Sequence, residues 1–275
     1  MRQVIIIAGK ELRDGMRNRW VLATTALLAA LALTLAFLGA APTGTVKVSG
    51  LAVTIVSLSS LTIFLVPLIA LLLSYDAIVG EVDRGTMALL LAYPVARWQV
   101  VFGKFAGHLA ILGFAILVGY GVAGLALQWA GNEDRGAWTA FGVMVASSIL
   151  LGGVFLAIGY FVSTLVRDRG TAAGIAIGVW LFFVLLYDMA LLGLLVADQG
   201  RTVTADVLNA LLLLNPADAY RLLNLTASPD VSGFAGVAGL GARTGLGTGV
   251  LLGALAAWTI TPLAAATALF ARRQV

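Results

Sequence analysis

The sequence predicts an all-α polytopic membrane protein: six transmembrane helices, a preceding amphipathic helix in the membrane interface, and both termini in the cytoplasm. The prediction rests on composition, segment length and charge placement. Of 275 residues, 61% are hydrophobic and 11% charged, and the mean hydropathy is +1.02. A soluble domain of this size does not carry so little charge. Six apolar segments are long enough to cross about 30 Å of hydrocarbon at about 1.5 Å per residue. They lie near Trp20–Ala41, Leu51–Ser74, Phe105–Ala130, Ala137–Leu165, Thr171–Ala197 and Gly245–Phe270. Twelve of the 17 Lys and Arg residues then fall on one side, which the positive-inside bias assigns to the cytoplasm. A single membrane domain is therefore expected to cover residues 1–275.

Residues 1–19 read as an amphipathic arm. Lys10, Arg13 and Arg17 share one helical face, while Ile5, Leu12 and Met16 fall on another. A secretory signal is the rival reading, with Leu38–Gly39–Ala40 resembling a cleavage site. The apolar stretch after Arg19 exceeds a signal h-region of about 7–15 residues, so it is read as the first span.

Between the second and third spans lies the loop 75–104, which carries Asp76, Glu81, Asp83, Arg84, Arg97 and Lys104. Inside it, Thr86 is expected to cap a short helix, Met87–Tyr93, which Pro94 closes. The apolar Met87, Leu89, Leu90 and Leu91 suit a docking helix for a partner at the membrane surface, or an ordinary loop helix lying among lipid headgroups. In the later spans Gly152, Gly153 and Gly159, and the Gly174–Gly178 pair, allow close helix approach.

Asp188 sits inside the fifth span beside Tyr187. A carboxyl there costs about 2.5–3.5 kcal/mol on insertion scales and is expected to face the protein. It is either a substrate, proton or gating contact or a carboxyl held by hydrogen bonds from a neighbouring span or Tyr187. With no basic partner visible at that depth, the structural role is favoured. The outer loop 198–244 holds LLLLNPADAYRLLNL, Leu211–Leu225. Its apolar run 207–214 is too short to span, Asn215–Pro216 breaks it, and a second short helix comes next at 217–225 before a Gly-rich link.

Several chemistries are missing. The chain has no Cys and one His, which removes disulfides, thiolate metal sites and a cysteine nucleophile. It has no GxxxxGK[ST] phosphate loop, HExxH or GxSxG, and no basic run suggesting nucleic acid. The chain is accordingly expected to have no catalytic residue and no metal or cofactor of its own. His108 and the dispersed methionines do not write a copper path.

The arm KELRDGMRNRW and the central GEVDRGTMALLLAYPVARWQVVFGK resemble the permeases of ABC-2-type, or type V, ABC exporters. That resemblance implies that the 75–104 loop inserts a coupling helix into an ATPase subunit. The family's motif maps onto Glu81, Gly85, Thr86, Pro94, Gly103 and Lys104, with Met87, Leu90 and Leu91 between. RNRW at 17–20, FLVPLIALLLSYDAIVGE at 64–81, GKFAGH at 103–108, Tyr187–Asp188 and the 211–225 stretch are similar to permeases serving copper-site maturation of nitrous oxide reductase. That likeness implies a homodimeric core, a cytoplasmic ATPase holding ATP and Mg, and a periplasmic partner contacted through Asn215, Pro216, Asp218, Tyr220 and Arg221. A generic exporter permease for a lipid, glycan or drug is the alternative.

Overall fold

The computed structural model describes residues 2–38, 50–129, 135–198, 201–227 and 246–273. These residues are almost entirely helical, as their composition dictates: in hydrocarbon each backbone N–H and C=O must pair within its own segment. The order is α1 (Arg2–Met16), α2 (Arg19–Leu38), α3 (Gly50–Ser74), α4 (Val79–Asp83), α5 (Thr86–Leu91), α6 (Arg97–Trp129) and α7 (Arg135–Leu165), followed by α8 (Arg169–Leu181). A π-helical turn, Phe182–Leu186, then joins α8 to α9 (Tyr187–Asp198), and α10 (Ala205–Leu213), α11 (Pro216–Ala227) and α12 (Thr248–Arg272) complete the chain.

Five helical stretches are long and apolar enough to cross a membrane; a sixth is counted if α1 and α2, bent by 69° at residues 17–18, are taken together. The bend suits the composition on either side, since α1 is amphipathic and α2 apolar on all faces. The most buried helix is α7, packed between α3 and α12, while α6 receives α1 and α2 along its length. A buried polar layer pins these helices. The Thr62 and Tyr120 hydroxyls join α3 to α6 at 2.6 Å, the Ser148 and Tyr220 hydroxyls join α7 to α11 at 3.0 Å, and Asn224 Nδ2 donates to Ser147 Oγ at 3.0 Å.

Two expected boundaries move. The third span begins at Arg97 and not at Phe105, taking Lys104 into a helix. Gln99 Oε1 accepts from Ala96 N at 2.9 Å at the helix start, and Lys104 has buried carboxylate partners, so its charge no longer excludes it from the bundle. The fifth span is interrupted by the π turn where one continuous helix was expected. The link at 228–245 lies outside the described residues.

Candidate functional site

One end of the bundle gathers the arm, the loop 75–104, the turn at 166–168 and the C-terminus. Arg97 Nη1 donates to Phe270 O at 2.7 Å and also to Arg273 O, and Arg273 Nη1 donates to Thr164 O at 3.3 Å. These cations answer the C-terminal carbonyls and negative dipole ends of α12 and α7. Within the loop, the N-terminal amides of α4 find a partner on another span: Ile78 N and Val79 N donate to Ser163 Oγ at 3.0 and 3.1 Å.

The short helix α5 starts differently from expectation. Its N-cap is Gly85, in the left-handed region at φ 71°, with no side-chain cap bond. Thr86 Oγ1 donates instead to Glu81 O at 3.2 Å, so it fastens the turn and does not cap the helix. An L side chain at position 85 would crowd the neighbouring carbonyl at a cost of roughly 1–2 kcal/mol. The helix ends at Leu91, short of Tyr93, and Pro94 follows in the turn. Met87 is fully buried, Leu90 and Leu91 are half-buried against the core, and Leu89 and Tyr93 stand 69% and 70% exposed. Of the four apolar residues the sequence offered for docking, Leu89 is therefore the one that faces out, with Tyr93 exposed just beyond the helix, while Met87, Leu90 and Leu91 turn toward the core. A six-residue helix anchored by Met87 can present only about one side, and Leu89, two positions on and roughly 200° round the helix, points away from the anchor.

Beside this loop lies a buried charge network. Lys104, 3% exposed, places Nζ 2.8 Å from Glu11 Oε1 of the arm and 2.8 Å from Glu81 Oε1 of α4. His108 Nε2 is 3.6 Å from Glu11 Oε2, and its Nδ1 is 2.8 Å from the Tyr160 hydroxyl of α7. Burial alone would raise the Glu11 carboxyl, but its bonds to His108 and Lys104 hold it well below the usual carboxylate range. Asp76 meets Arg169 at 2.6 Å. A cleft of about 680 Å³ opens beside the network, its wall including Asp14, Ile69, Leu72 and Ile111.

At the far end, α10 and α11 form a helical hairpin turned into the bundle. Asn215, Asp218 and Tyr220 are 0%, 2% and 0% exposed, and Pro216 is buried too. Asn215 Nδ2 donates to Phe183 O, within the π turn, and to Asp218 Oδ2, both at 3.0 Å. Asn215 Oδ1 accepts from Ala217 N. Arg221 forks, with Nη1 2.7 Å from Asp218 Oδ1 and Nη2 2.8 Å from Asp188 Oδ2. No local pattern pointed to a base for Asp188, because Arg221 lies 33 residues away in a segment that does not span. Tyr187 donates to Leu211 O at 2.7 Å and leaves Asp188 alone. Of the five residues expected to meet a periplasmic partner, Asn215 and Arg221 thus tie the hairpin to the fifth span, Tyr220 ties it to α7, and Pro216 and Asp218 are buried beside them. Their spacing around Asn215–Pro216 carried the signal for an ordered turn but not its direction.

A further small-residue pair escaped the sequence reading. A Cβ on Gly103 would fall 2.7 Å from Ile7 Cβ, and one on Gly107 would fall 2.6 Å from Glu11 Cβ. These two glycines form the groove in which α1 lies. Gly174 and Gly178, expected from the sequence to allow close helix approach, meet nothing within 4 Å. Among the described residues no cluster of three His, Cys, Asp or Glu is placed to hold a metal ion.

The chain matches the family model described as ABC-2 family transporter protein over residues 5–275. It is 49% identical over 275 residues to a probable ABC transporter permease protein NosY of Stutzerimonas stutzeri, covering 99% of each chain. Against a probable ABC transporter permease protein NosY of Pseudomonas aeruginosa it is 48% identical over 277 residues, covering 100% of both. With its whole length matched and five to six helices able to cross a bilayer, the chain belongs to the ABC-2 transporter family as a multi-pass permease of the inner membrane.

Proposed function

We propose that this permease couples ATP hydrolysis by a cytoplasmic NosF-like ATPase to a periplasmic NosD-like protein in copper-site maturation of nitrous oxide reductase. ATP and Mg belong to the ATPase; this chain supplies the moving membrane part, with its termini and the 75–104 loop in the cytoplasm. The observation that carries the reading is α5. Met87 locks one side of it into the core while Leu89 and Tyr93 project, so a partner pressing on the exposed side pushes a rigid body. Glu81, Gly85, Thr86 and Pro94 shape the loop that holds it. Relatives named NosY at 48–49% identity support the maturation role over a generic exporter. A homodimer is supported by the fifth span, Arg169–Asp198, in whose 18-residue apolar core only 11% of the residues are buried, with Gly174 and Gly178 open on its surface.

Copper need not cross through this subunit. Met144 is wholly buried in α7, Met189 is 69% exposed on α9, and His108 is engaged by Tyr160 and Glu11. Two arrangements of rigid helices, switched by the ATPase, are enough to move the outer hairpin against its partner.

The test is Leu89→Asp with Tyr93→Ser. Losing a central apolar anchor costs about 2 kcal/mol or more, so ATPase binding to the purified permease falls roughly thirtyfold. Unchanged affinity and unchanged turnover of the reconstituted complex would remove α5 as the docking element.

A further inference from the structure

The N-terminal arm reads from sequence as a helix resting in the lipid interface, yet its inner side is built into the bundle. Ile7 is buried, Gly103 and Gly107 cut the groove that seats it, and Glu11 reaches a buried ammonium. That ammonium, Lys104, is shared. It bonds Glu11 of the arm and Glu81 of α4 at the same distance, 2.8 Å. Each of these groups is at most 15% exposed, so water cannot replace a lost partner cheaply.

We propose that Lys104 is a positioning residue that joins the coupling loop to the N-terminal arm, so that movement of the loop is delivered to α1 and through it to α2. The inference rests on the docking role given to α5 above. The two bonds are unequal in support. Glu11 is also held by His108, whose ring is fixed by Tyr160 of α7, and the groove grips its backbone. Glu81 has Lys104 as its one ion-pair partner among the described residues and sits on a five-residue helix. Lys104 therefore stays with the arm, and Glu81 is the detachable side of the joint. When the loop is driven, the arm follows for as long as the Glu81–Lys104 bond holds. Its charge, not its bulk, carries the pull, because a neutral amide at position 81 fills nearly the same space with a weaker hydrogen bond.

The chain has no Cys, so spin labels can be placed at will. Pairs at Asp83 and Ala271 report the loop, and pairs at Gly9 and Ala271 report the arm; all three positions are exposed. Distances are measured in the full-length permease assembled with its ATPase, without nucleotide and with a non-hydrolysable ATP analogue. We expect both distances to shift in the unsubstituted protein. In Glu81→Gln the loop shift persists and the arm shift is lost, while Glu81→Asp, which restores the charge, recovers it. Glu81→Gln keeps Lys104 paired with Glu11, so the variant retains its buried pair and its elution as an intact complex. No loop shift in the unsubstituted protein overturns the docking reading and this inference with it. A loop shift with a stationary arm, or an arm shift that survives Glu81→Gln, overturns the joint alone.

Discussion

Arg221 is predicted to be the residue whose loss most weakens the α10–α11 hairpin. Its guanidinium is shared between Asp188 on the fifth span and Asp218 on its own helix, at 2.8 and 2.7 Å. Asp188→Asn keeps an acceptor and converts a charge-assisted bond to a neutral one, a cost of about 1 kcal/mol. Asp188→Ala removes the bond and costs about 1.5–3 kcal/mol, because Arg221 retains Asp218. Arg221→Met strands the 2%-exposed Asp218 carboxylate beside Asn215, and an unpaired buried charge costs about 3–5 kcal/mol. Burial already pushes Asp218 up to about 7, against the pull of Arg221 and with the help of Asp188 nearby. In the unfolded chain Asp218 ionises near 3.8, so between that pH and about 7 the folded state holds the extra proton. Stability from this group is greatest at low pH and declines as pH rises through that window. Removing Arg221 raises the carboxyl further, so Arg221→Met is penalised most above neutral pH and least at acidic pH. The assay is thermal unfolding of the purified permease followed by tryptophan fluorescence at about pH 5.5 and about pH 8, either side of the Asp218 transition. Trp258 Nε1 donates to Leu213 O and so reports on the hairpin. An Arg221→Met variant no worse than Asp188→Ala at the higher pH, or one with an equal deficit at both, would refute this account. Asp188→Asn preserves assembly and most maturation activity; full loss in a stable complex would give the Asp188 charge a direct role.

Packing sets two further outcomes. Gly107→Ala forces a methyl to within 2.6 Å of Glu11 Cβ and 3.0 Å of Ala8 O, so the arm lifts at a cost of about 1–3 kcal/mol; faster proteolysis within residues 2–16 reads this out, and Gly9→Ala, with open space around it, leaves the rate unchanged. Met144→Leu with Met189→Leu leaves the copper content and spectrum of the matured reductase intact, since near-equal volumes keep the core; a copper-free reductase beside an assembled, ATP-hydrolysing complex would return a metal path to these spans.

Much of this protein is determined by composition acting locally. Apolar runs of about 20 residues or more must become helices in a bilayer, because no water remains to satisfy their backbones, and their order could be read directly, although the sixth is counted only when α1 and α2 are taken together. The presence of a short helix before Pro94 and of a break at Asn215–Pro216 was legible too, since proline constrains the backbone locally, although the helix runs over Thr86–Leu91 and not Met87–Tyr93. What lay beyond the sequence is pairing across distance. Lys104 looked like the end of a soluble loop because its carboxylates arrive from 93 and 23 positions away, and Asp188 looked solitary because its base sits on a helix that never spans. The same holds for direction: Leu89 and Leu90 are chemically alike, and only the burial of Met87 decides which of them faces out. Gly103 and Gly107 matter while Gly174 and Gly178 stay open, because a small residue becomes a contact only when the tertiary fold brings another backbone to it. Periodicity encodes which segments are helices; the energy of a buried charge or a close approach depends on partners that only the packed bundle supplies.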